Sequence, residues 1–525
     1  MLLSKGRTLG GSSAINLGMI VYPSKVGING WKQLGNPGWG WDDLAPYIRK
    51  FQTATGPSQR DREFLKGIKY DQRDQGSDGP VQVSFCEEYM PYHAAWLETF
   101  KNLGFPLTED PINGAGKGAF INPSAVDPNT RTRSHSGTAY FGESAQKRPN
   151  LRVVTGALVE KLLLRRKGDF VVATGVQASK GGNTYKILVT KDVILAAGAT
   201  QTPQILELSG IGDADRLRAH GIDMVVDNKS VGENLQDHGS VSFGYEVADG
   251  MLSGDMVRNP DVAAEAMAKY QKDGSGPLGM VPFAAAFLSC LDAPPELRTQ
   301  LQQQIDSGEK PTAQKKQYEV LRQLLTDTDE PTAEYILAPF QMLPREGPCP
   351  KGIFGMSHPG HFITILCFLS YPLSRGSVHL QSADPKEPPA IDSGILLHPV
   401  DLELTARHAM WTEKIAETEP MASLLKKGGQ RLHAPTRVTD LEKAKELCKE
   451  LVMSMYHVSG SCAMMPREDG GVVDPRLTVY ATKNVRVVDA SIFPLVPRGN
   501  IQATVFAVAE KAADIIKEDY GIASG

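Results

Sequence analysis

The sequence lacks a surplus of charge of either sign. Its 525 residues contain 56 Lys and Arg against 60 Asp and Glu, which gives a formal net charge of -4 and a pI near 6.3. A protein that gathers phosphate groups needs a basic field, and this composition supplies none. Nucleic acid is therefore excluded as the expected partner. With 41% apolar and 22% charged residues, the chain has the composition of an ordinary globular protein.

Long apolar runs are also missing. The longest, at residues 362–373, is interrupted by Thr364, Ser370 and Pro372 and is far shorter than the roughly 20 residues of a membrane span. The first residues, Met-Leu-Leu-Ser-Lys-Gly-Arg, lack the apolar segment of a secretion signal. We therefore predict no membrane span and a cytoplasmic location, although a longer N-terminus would be able to carry a targeting signal.

Cysteine is sparse, and no two cysteines form a CxxC pair. This spacing favours buried free thiols over disulfides or zinc ligands, and it fits a reducing compartment. The segment His358-Pro359-Gly360-His361 predicts a loop rather than a metal site, because Pro and Gly disfavour a helix and no third ligand is apparent. No metal is predicted. The six cysteines are Cys86, Cys290, Cys349, Cys367, Cys448 and Cys462.

A dinucleotide-binding glycine fingerprint is matched only by residues 274–279, Gly-Ser-Gly-Pro-Leu-Gly. Such a fingerprint must follow a strand and begin a helix. Here a charged, helix-like run precedes it, and Pro277 stands where a helix should continue. The match is therefore interpreted as accidental.

The stretch from residue 151 to 199 is rich in β-branched and aliphatic residues. Strands are predicted at residues 151–155, 159–164, 170–177, 187–190 and 193–199, with turn residues between them. Thr202-Pro203 then predicts the start of a helix, with Thr202 as the N-cap, and Gly210 its end. Polar helices are predicted at residues 296–304 and 314–325, and an amphipathic helix at 504–517.

Two segments carry residue types suited to chemistry. Near the N-terminus, Gly6-Arg7-Thr8-Leu9-Gly10-Gly11-Ser12-Ser13-Ala14-Ile15-Asn16 combines close backbone approach with hydroxyl and amide groups. Near the C-terminus, Tyr456-His457-Val458-Ser459-Gly460-Ser461 precedes a strand-like run that ends at Asp489 and a Gly499-Asn500 helix start. Taken alone, the first segment is more often an ordinary turn, and His457 is as often a core histidine as a catalyst.

Several further motifs occur with these two segments in a characteristic order, and together they resemble the glucose–methanol–choline (GMC) oxidoreductases. The likeness runs from Leu3 to Lys517. The motifs are Gly-Gly-Ser-Ser-Ala-Ile-Asn (10–16), Leu-Gly-Asn-Pro-Gly-Trp (34–39), Ser-Gly-Ile-Gly (209–212), Val-Gly-Glu-Asn-Leu-Gln-Asp-His (231–238), Ser-Arg-Gly-Ser-Val (374–378), Tyr-His (456–457), Asp-Ala-Ser (489–491) and Gly-Asn-Ile-Gln-Ala-Thr (499–504).

The resemblance implies an FAD-dependent enzyme with a Rossmann-like FAD-binding domain and a substrate domain on an antiparallel sheet. It places His457 at the family's catalytic histidine and Asn500 at the second active-site position. Gly10, Gly11, Ser12 and Asn16 would face the pyrophosphate and flavin, and Val159 would face the adenine. Ala197 and Gly198 would lie near the ADP half, and Asp489 and Ala490 near the pyrophosphate and ribityl. Ile501 and Thr504 would lie beside the isoalloxazine. These cofactor residues are Gly10, Gly11, Ser12, Asn16, Val159, Ala197, Gly198, Asp489, Ala490, Ile501 and Thr504.

The chemistry explains these residue types. A hydride leaves an alcohol carbon readily only while the hydroxyl proton is being removed, and a neutral imidazole accepts that proton near neutral pH. An amide at the second position donates to the developing alkoxide without competing for the proton. FAD takes the hydride.

The printed chain departs from the family at its start. A strand, a GxGxxG turn, a helix and a second strand ending in an acidic residue take roughly 30 residues, but only nine residues precede Gly10. The expected loss is one βαβ unit with its pyrophosphate-binding helix N-terminus and ribose carboxylate. Either the printed chain is truncated, which we favour, or it has naturally lost tight FAD binding; FAD binding by the printed chain is thus in doubt.

The sequence therefore predicts an α/β fold with a Rossmann-like FAD-binding domain lacking its first βαβ unit and an α+β substrate domain. The function predicted is flavin-dependent oxidation of a primary or secondary alcohol, a small-molecule substrate. The alternatives are a non-redox lyase or cyclase on the same scaffold, or an inactive scaffold protein. The oligomeric state stays open. The predicted FAD-binding domain comprises residues 1–50, 151–240 and 449–525, and the substrate domain residues 51–150 and 241–448.

Overall fold

The computed structural model describes residues 5–279, 282–289, 299, 302–303, 305–306, 312–346 and 350–522. The helices are α1 Lys25–Gln33, α2 Trp41–Lys50, α3 Gln59–Leu65, α4 Pro91–Asn102, α5 Ser136–Ala139, α6 Glu143–Gln146, α7 Gly198–Leu208, α8 Ala214–Ala219, α9 Pro260–Asp273, α10 Thr312–Thr326, α11 Pro350–Ile353, α12 Pro399–Glu417, α13 Met421–Leu424, α14 Leu441–Leu451 and α15 Gln502–Asp519. None of them combines the length and the apolar character needed to cross a membrane.

The strands alternate with these helices along the chain, as expected for an α/β protein. They are β1 Gln52–Thr55, β2 Val81–Ser84, β3 Gly118–Ile121, β4 Leu158–Lys167, β5 Phe170–Lys180, β6 Asn183–Leu188, β7 Val193–Leu195, β8 Ile211–Gly212, β9 Val226–Asp227, β10 Gly239–Glu246, β11 Ala284–Leu288, β12 Ala333–Ala338, β13 Phe362–Leu369, β14 Ser377–His379, β15 Ala390–Asp392, β16 Arg431–Leu432, β17 Met453–Ser454 and β18 Val485–Val487.

The largest sheet in the described residues is antiparallel and has the order β16-β10-β13-β12-β11-β3, with β17 also paired to β10. Because successive side chains of a strand point to opposite faces, the sheet has two distinct surfaces. One surface packs against α4, α12 and α14 through residues such as Tyr335, Ile365 and Ala409. The other carries Phe287, Phe368 and their neighbours, and it faces the site described below.

A second, smaller α/β region contains the parallel pair β7 and β18. Strand β18 and helix α15 confirm the strand and the amphipathic helix predicted near the C-terminus. In the described part of the chain, β7 pairs with β18 alone, and Ile194 of β7 is 46% exposed. Nearby, β4, β5 and β6 form an antiparallel three-stranded sheet. The domain boundaries stay a prediction.

Three local predictions between residues 151 and 210 are wrong. The predicted strand at 193–199 ends at Leu195, because Gly198 and Ala199 already belong to α7. Residues 151–155 form no strand; they lie exposed, without a partner strand in the described residues. Helix α7 begins at Gly198 rather than at Pro203, and the Thr202 hydroxyl donates to Asp489 Oδ2 (2.6 Å) instead of capping a helix. Pro203 has no N–H for the Ala199 carbonyl, and the Ser461 hydroxyl donates to that carbonyl instead (2.6 Å).

Other predictions are confirmed. Helix α9 ends at Asp273 with Gly274 as its C-cap, so the glycine match at residues 274–279 follows a helix and not a strand. Helix α10 covers the predicted helix at 314–325, whereas the one at 296–304 lies largely outside the described residues. The cysteines within the described residues are buried free thiols, and they are Cys86, Cys367, Cys448 and Cys462.

Candidate active site

His457 lies in the loop that follows β17, and Asp237 fixes its position. The His457 side chain is only 6% exposed. Its backbone N–H donates to Asp237 Oδ1 (2.9 Å), and Asp237 Oδ2 accepts from the Ser454 hydroxyl. Burial raises the pKa of Asp237 to about 6, against the Ser454 hydrogen bond. Tyr456 is held in the left-handed region (φ 61), a strained conformation that clusters at functional sites.

A chain of hydrogen bonds determines which nitrogen of His457 carries the proton. His238 Nε2 lies 3.3 Å from the Ser370 carbonyl oxygen, which can only accept, so Nε2 of His238 is protonated. In a neutral ring His238 Nδ1 is then an acceptor, and it lies 2.8 Å from His457 Nδ1. His457 Nδ1 must therefore donate, and the Nε2 atom of a neutral His457 is left without a proton.

Both rings are neutral near pH 7. Burial lowers the pKa of His238 to about 4. Burial, followed by the His238 ring and the Lys5 ammonium, lowers the pKa of His457 well below its ordinary value. The Nε2 atom of His457 is thus an unprotonated acceptor inside a buried site.

Asn500 faces that unprotonated nitrogen. Its side-chain amide nitrogen lies 3.1 Å from His457 Nε2 and donates to it. Asn500 Oδ1 is buried and has no partner in the described residues. Gly499 makes this approach possible, because it has φ 76 and a side-chain carbon there would lie 2.4 Å from Val21 Cγ1. The two predicted catalytic residues are therefore brought together.

The antiparallel sheet forms an apolar wall beside the two histidines. The Phe368 ring stacks on His238 (5.0 Å between ring centroids) and meets His457 edge-on (5.9 Å). Phe368 belongs to a buried cluster on the same sheet surface with Phe120, Phe287 and Leu366. A ligand bound at His457 would contact this aromatic surface.

Three hydrogen bonds hold predicted cofactor residues, and the first of them joins two such residues. Gly198 N–H donates to Asp489 Oδ2 (2.9 Å), and Gly460 N–H donates to the Ala490 carbonyl (3.1 Å). Asn16 Nδ2 donates to Gln502 Oε1, which ties the N-terminal segment to the start of α15.

The remaining predicted cofactor residues occupy separate local positions. Gly10 has φ 95 and precedes a short 3-10 helix, Gly11–Ala14, in which Ser12 is exposed. Ala197 precedes α7, Ile501 precedes α15, and Thr504 is buried in the first turn of α15. Val159 is a surface residue of β4, 37% exposed. Among the described residues no group of three or more His, Cys, Asp or Glu could hold a metal ion.

Sequence reasoning missed the roles of Asp237 and His238. Both belong to the Val-Gly-Glu-Asn-Leu-Gln-Asp-His segment at 231–238, where they served only to support the family resemblance. An adjacent acid and histidine within a motif would have been the signal that pointed to them. They contact His457 across about 220 positions of the chain, and no local pattern reveals this contact.

Comparisons with known proteins agree with this architecture. The GMC oxidoreductase family matches at residues 1–240 with its N-terminal part and at 372–509 with its C-terminal part. The chain is 32% identical to dehydrogenase mpl7 of Monascus purpureus, over 99% of this chain and 84% of that protein.

Two solved structures are similar over nearly the whole fold. An FAD-dependent oxidoreductase from Chaetomium thermophilum superposes with a TM-score of 0.87 at 28% identity, covering 99% of this chain and 88% of the other. A fungal aryl-alcohol oxidase gives a TM-score of 0.83 at 25% identity, covering 99% and 87%. The chain belongs to the GMC oxidoreductase family, whose fold joins an FAD-binding domain to a substrate domain with an antiparallel sheet.

Proposed function

We propose that the protein oxidises a primary or secondary alcohol to a carbonyl in an FAD-dependent reaction, with His457 as the general base. The observation that carries this proposal is the protonation state of the histidine pair. His457 Nε2 is a buried, unprotonated acceptor, and it faces the Asn500 amide. A base of this kind takes a hydroxyl proton without first having to lose one of its own.

Several residues of the site contribute to removing that proton. The substrate hydroxyl donates its proton to His457 Nε2, which becomes an imidazolium that still donates from Nδ1 to His238. The Asn500 amide N–H then donates to the alkoxide oxygen as its negative charge develops. FAD, when bound, supplies the acceptor for the hydride that leaves the carbinol carbon. Phe368 and the sheet exclude water from the reacting oxygen.

The residues around the start of α15 fit a flavin. Gln502 Nε2 and Asn500 Oδ1 are buried polar atoms without partners in the described residues. Gly11 and Gly198 both have positive φ, and a side-chain carbon at either would meet no atom within 4 Å. The two orphaned atoms suit the polar edge of a flavin, and the two glycines leave open space for a ligand against the backbone. Asn16, Gln502 and Thr504 would hold the flavin, and Gly198 and Ala490 the pyrophosphate side.

Asn500→Ala is expected to lower the rate of flavin reduction roughly 10- to 1000-fold, as the loss of one oxyanion donor does. Substrate affinity should change little, because the amide acts mainly on the developing charge. Rapid-mixing measurement of flavin reduction over a range of alcohol concentrations separates rate from affinity. A variant that binds weakly but reacts at the wild-type rate would make Asn500 a positioning residue only.

His238→Leu is expected to slow flavin reduction about 10-fold or more, because His457 then loses the acceptor that fixes its proton on Nδ1. His238→Asn is the matched control. Its side-chain oxygen can replace Nδ1 as the acceptor while its amide nitrogen donates to Ser370, so most of the rate should return. Nitrogen NMR of histidine-labelled protein reports the tautomer without any turnover. If His457 carries its proton on Nε2 in the wild type, the assignment is wrong.

A further inference from the structure

Glu334 is a buried acidic residue that the proposed mechanism does not use. Strand β12 reads Ala-Glu-Tyr-Ile-Leu-Ala, and its alternation places Glu334 on the same sheet surface as Ile336 and Ala338. The side chain is 0% exposed, and neither carboxyl oxygen has a hydrogen-bond partner in the described residues. Leaving a buried polar group unpaired is destabilising, so a role for a bound ligand is the natural explanation.

In space, a single residue separates Glu334 from each of the two proposed catalytic residues. In the sheet register it pairs with Phe368 on one side and with Phe287 on the other, and Phe368 contacts His457. A side-chain carbon at Gly499 would lie 3.3 Å from Glu334 Oε2, and Gly499 immediately precedes Asn500. The orphaned carboxyl therefore lies next to the proposed catalytic pair, where a substrate of His457 would have to bind.

The charges around Glu334 favour its neutral form. Arg498 is the cation that acts on Glu334, but it is already engaged: it pairs with Glu330 (3.5 Å) and donates to the carbonyls of Ala115 and Gly116. Its guanidinium also lies over the Phe287 ring (4.5 Å). Burial raises the pKa of Glu334 to about 8, against the attraction of Arg498. Near pH 7 the carboxyl keeps its proton and can donate one hydrogen bond.

The surroundings of this donor are apolar and aromatic. Phe120, Phe287 and Phe368 lie on the same surface, together with Ile336. Arg498 is balanced by Glu330, and His238 and His457 are neutral behind Phe368, so these described neighbours bring no net charge to Glu334. A charged substrate would be poorly accommodated there, whereas an uncharged aromatic one fits.

We infer that Glu334 is a substrate-recognition residue that donates a hydrogen bond to a second oxygen of an uncharged aromatic alcohol. This inference rests on the proposed alcohol oxidation and narrows its substrate class. The substrate carries a reacting hydroxyl for His457 and, elsewhere on the molecule, a carbonyl, ether or phenolic oxygen that accepts from Glu334.

Equilibrium binding of two matched alcohols tests the inference without turnover. Para-acetylbenzyl alcohol and para-isopropylbenzyl alcohol have nearly the same shape, but only the first has the additional acceptor. The wild type should prefer the acetyl compound by about 10-fold, the usual scale of one such hydrogen bond. Glu334→Leu should lose that preference, and Glu334→Gln, which retains an N–H donor, should keep most of it.

The pH dependence supplies a second readout. The wild-type preference should disappear as the pH rises from about 7 to about 9.5, because Glu334 then loses its proton, while Glu334→Gln should keep a constant preference. If Glu334→Leu weakened the binding of both alcohols equally, or left the preference for the acetyl compound unchanged, the inference would be overturned. The same pH dependence in Glu334→Gln would also overturn it. Selective binding without any flavin reduction would instead count against the proposed oxidation and leave the recognition role intact.

Discussion

The 525 residues, expressed as printed, are expected to bind FAD several orders of magnitude more weakly than the same chain joined to a strand–GxGxxG–helix unit taken from a relative. The described residues offer few groups to the ADP half. The Asp489 carboxylate is already occupied by Gly198 N–H, Thr202 and Ser491 N–H, and β7 pairs with β18 alone in the described part of the chain.

The size of this effect follows from the contacts that the added unit would make. A helix N-terminus and a ribose-binding carboxylate supply charge-assisted hydrogen bonds worth about 1.5–3 kcal/mol each. Two or three of them correspond to several orders of magnitude in the dissociation constant. Titration of both proteins with FAD, followed by flavin fluorescence, measures the difference.

A matched control keeps the fusion informative. The same added unit with its glycines replaced by valine should restore little binding, because side chains then block the backbone from the pyrophosphate. Tight, stoichiometric FAD in the printed chain would contradict the prediction and show that other residues serve the ADP site.

His457→Gln is expected to lower the rate of flavin reduction about 100-fold or more, the usual scale for losing acid–base catalysis. Gln fills the space and offers polar atoms, but it cannot accept the proton. The measurement is rapid mixing of FAD-loaded protein with an alcohol in the absence of oxygen, with FAD supplied in excess or retained by the fusion.

His408→Gln is the matched control for this substitution. His408 is also a buried histidine, held by Thr332 and Tyr335 on the opposite surface of the sheet. This variant should reduce flavin at a rate within about 3-fold of the wild-type rate. The reason is that the opposite surface of the sheet takes no part in proton removal. Near wild-type reduction by His457→Gln would remove His457 from the mechanism.

The wild-type rate should also hold as the pH falls from about 8 to about 6. The pKa of His457 lies well below its ordinary value because the ring is buried, so the free base persists throughout this range. A rate that falls with a midpoint near the ordinary histidine pKa would contradict the neutral, buried state of His457.

The residues that could be predicted from the sequence are those with local signatures. His457 and Asn500 stand in short, ordered motifs, and the structure brings them within hydrogen-bonding distance. Helix α15 was predictable from the spacing of its apolar residues, since that periodicity alone identifies a buried face.

The residues that sequence reasoning missed depend on distant contacts. Thr202 was interpreted as a helix cap, but its hydroxyl binds Asp489, 287 positions away, and this contact outweighs the local signal. His238 acquires its role only where β10 begins beside the loop after β17. No local sequence signal distinguishes Glu334 from other acidic residues. Its place beside Phe368 is set by the register of the sheet.

Anaerobic mixing of the FAD-loaded protein with para-acetylbenzyl alcohol tests the central claim most directly. We expect the flavin absorbance to bleach in a single turnover, with one aldehyde formed for each flavin reduced. Conversion of the alcohol while the flavin stays oxidised would contradict the proposed oxidation and favour lyase or cyclase chemistry, and an unchanged flavin with unchanged alcohol would favour an inactive scaffold.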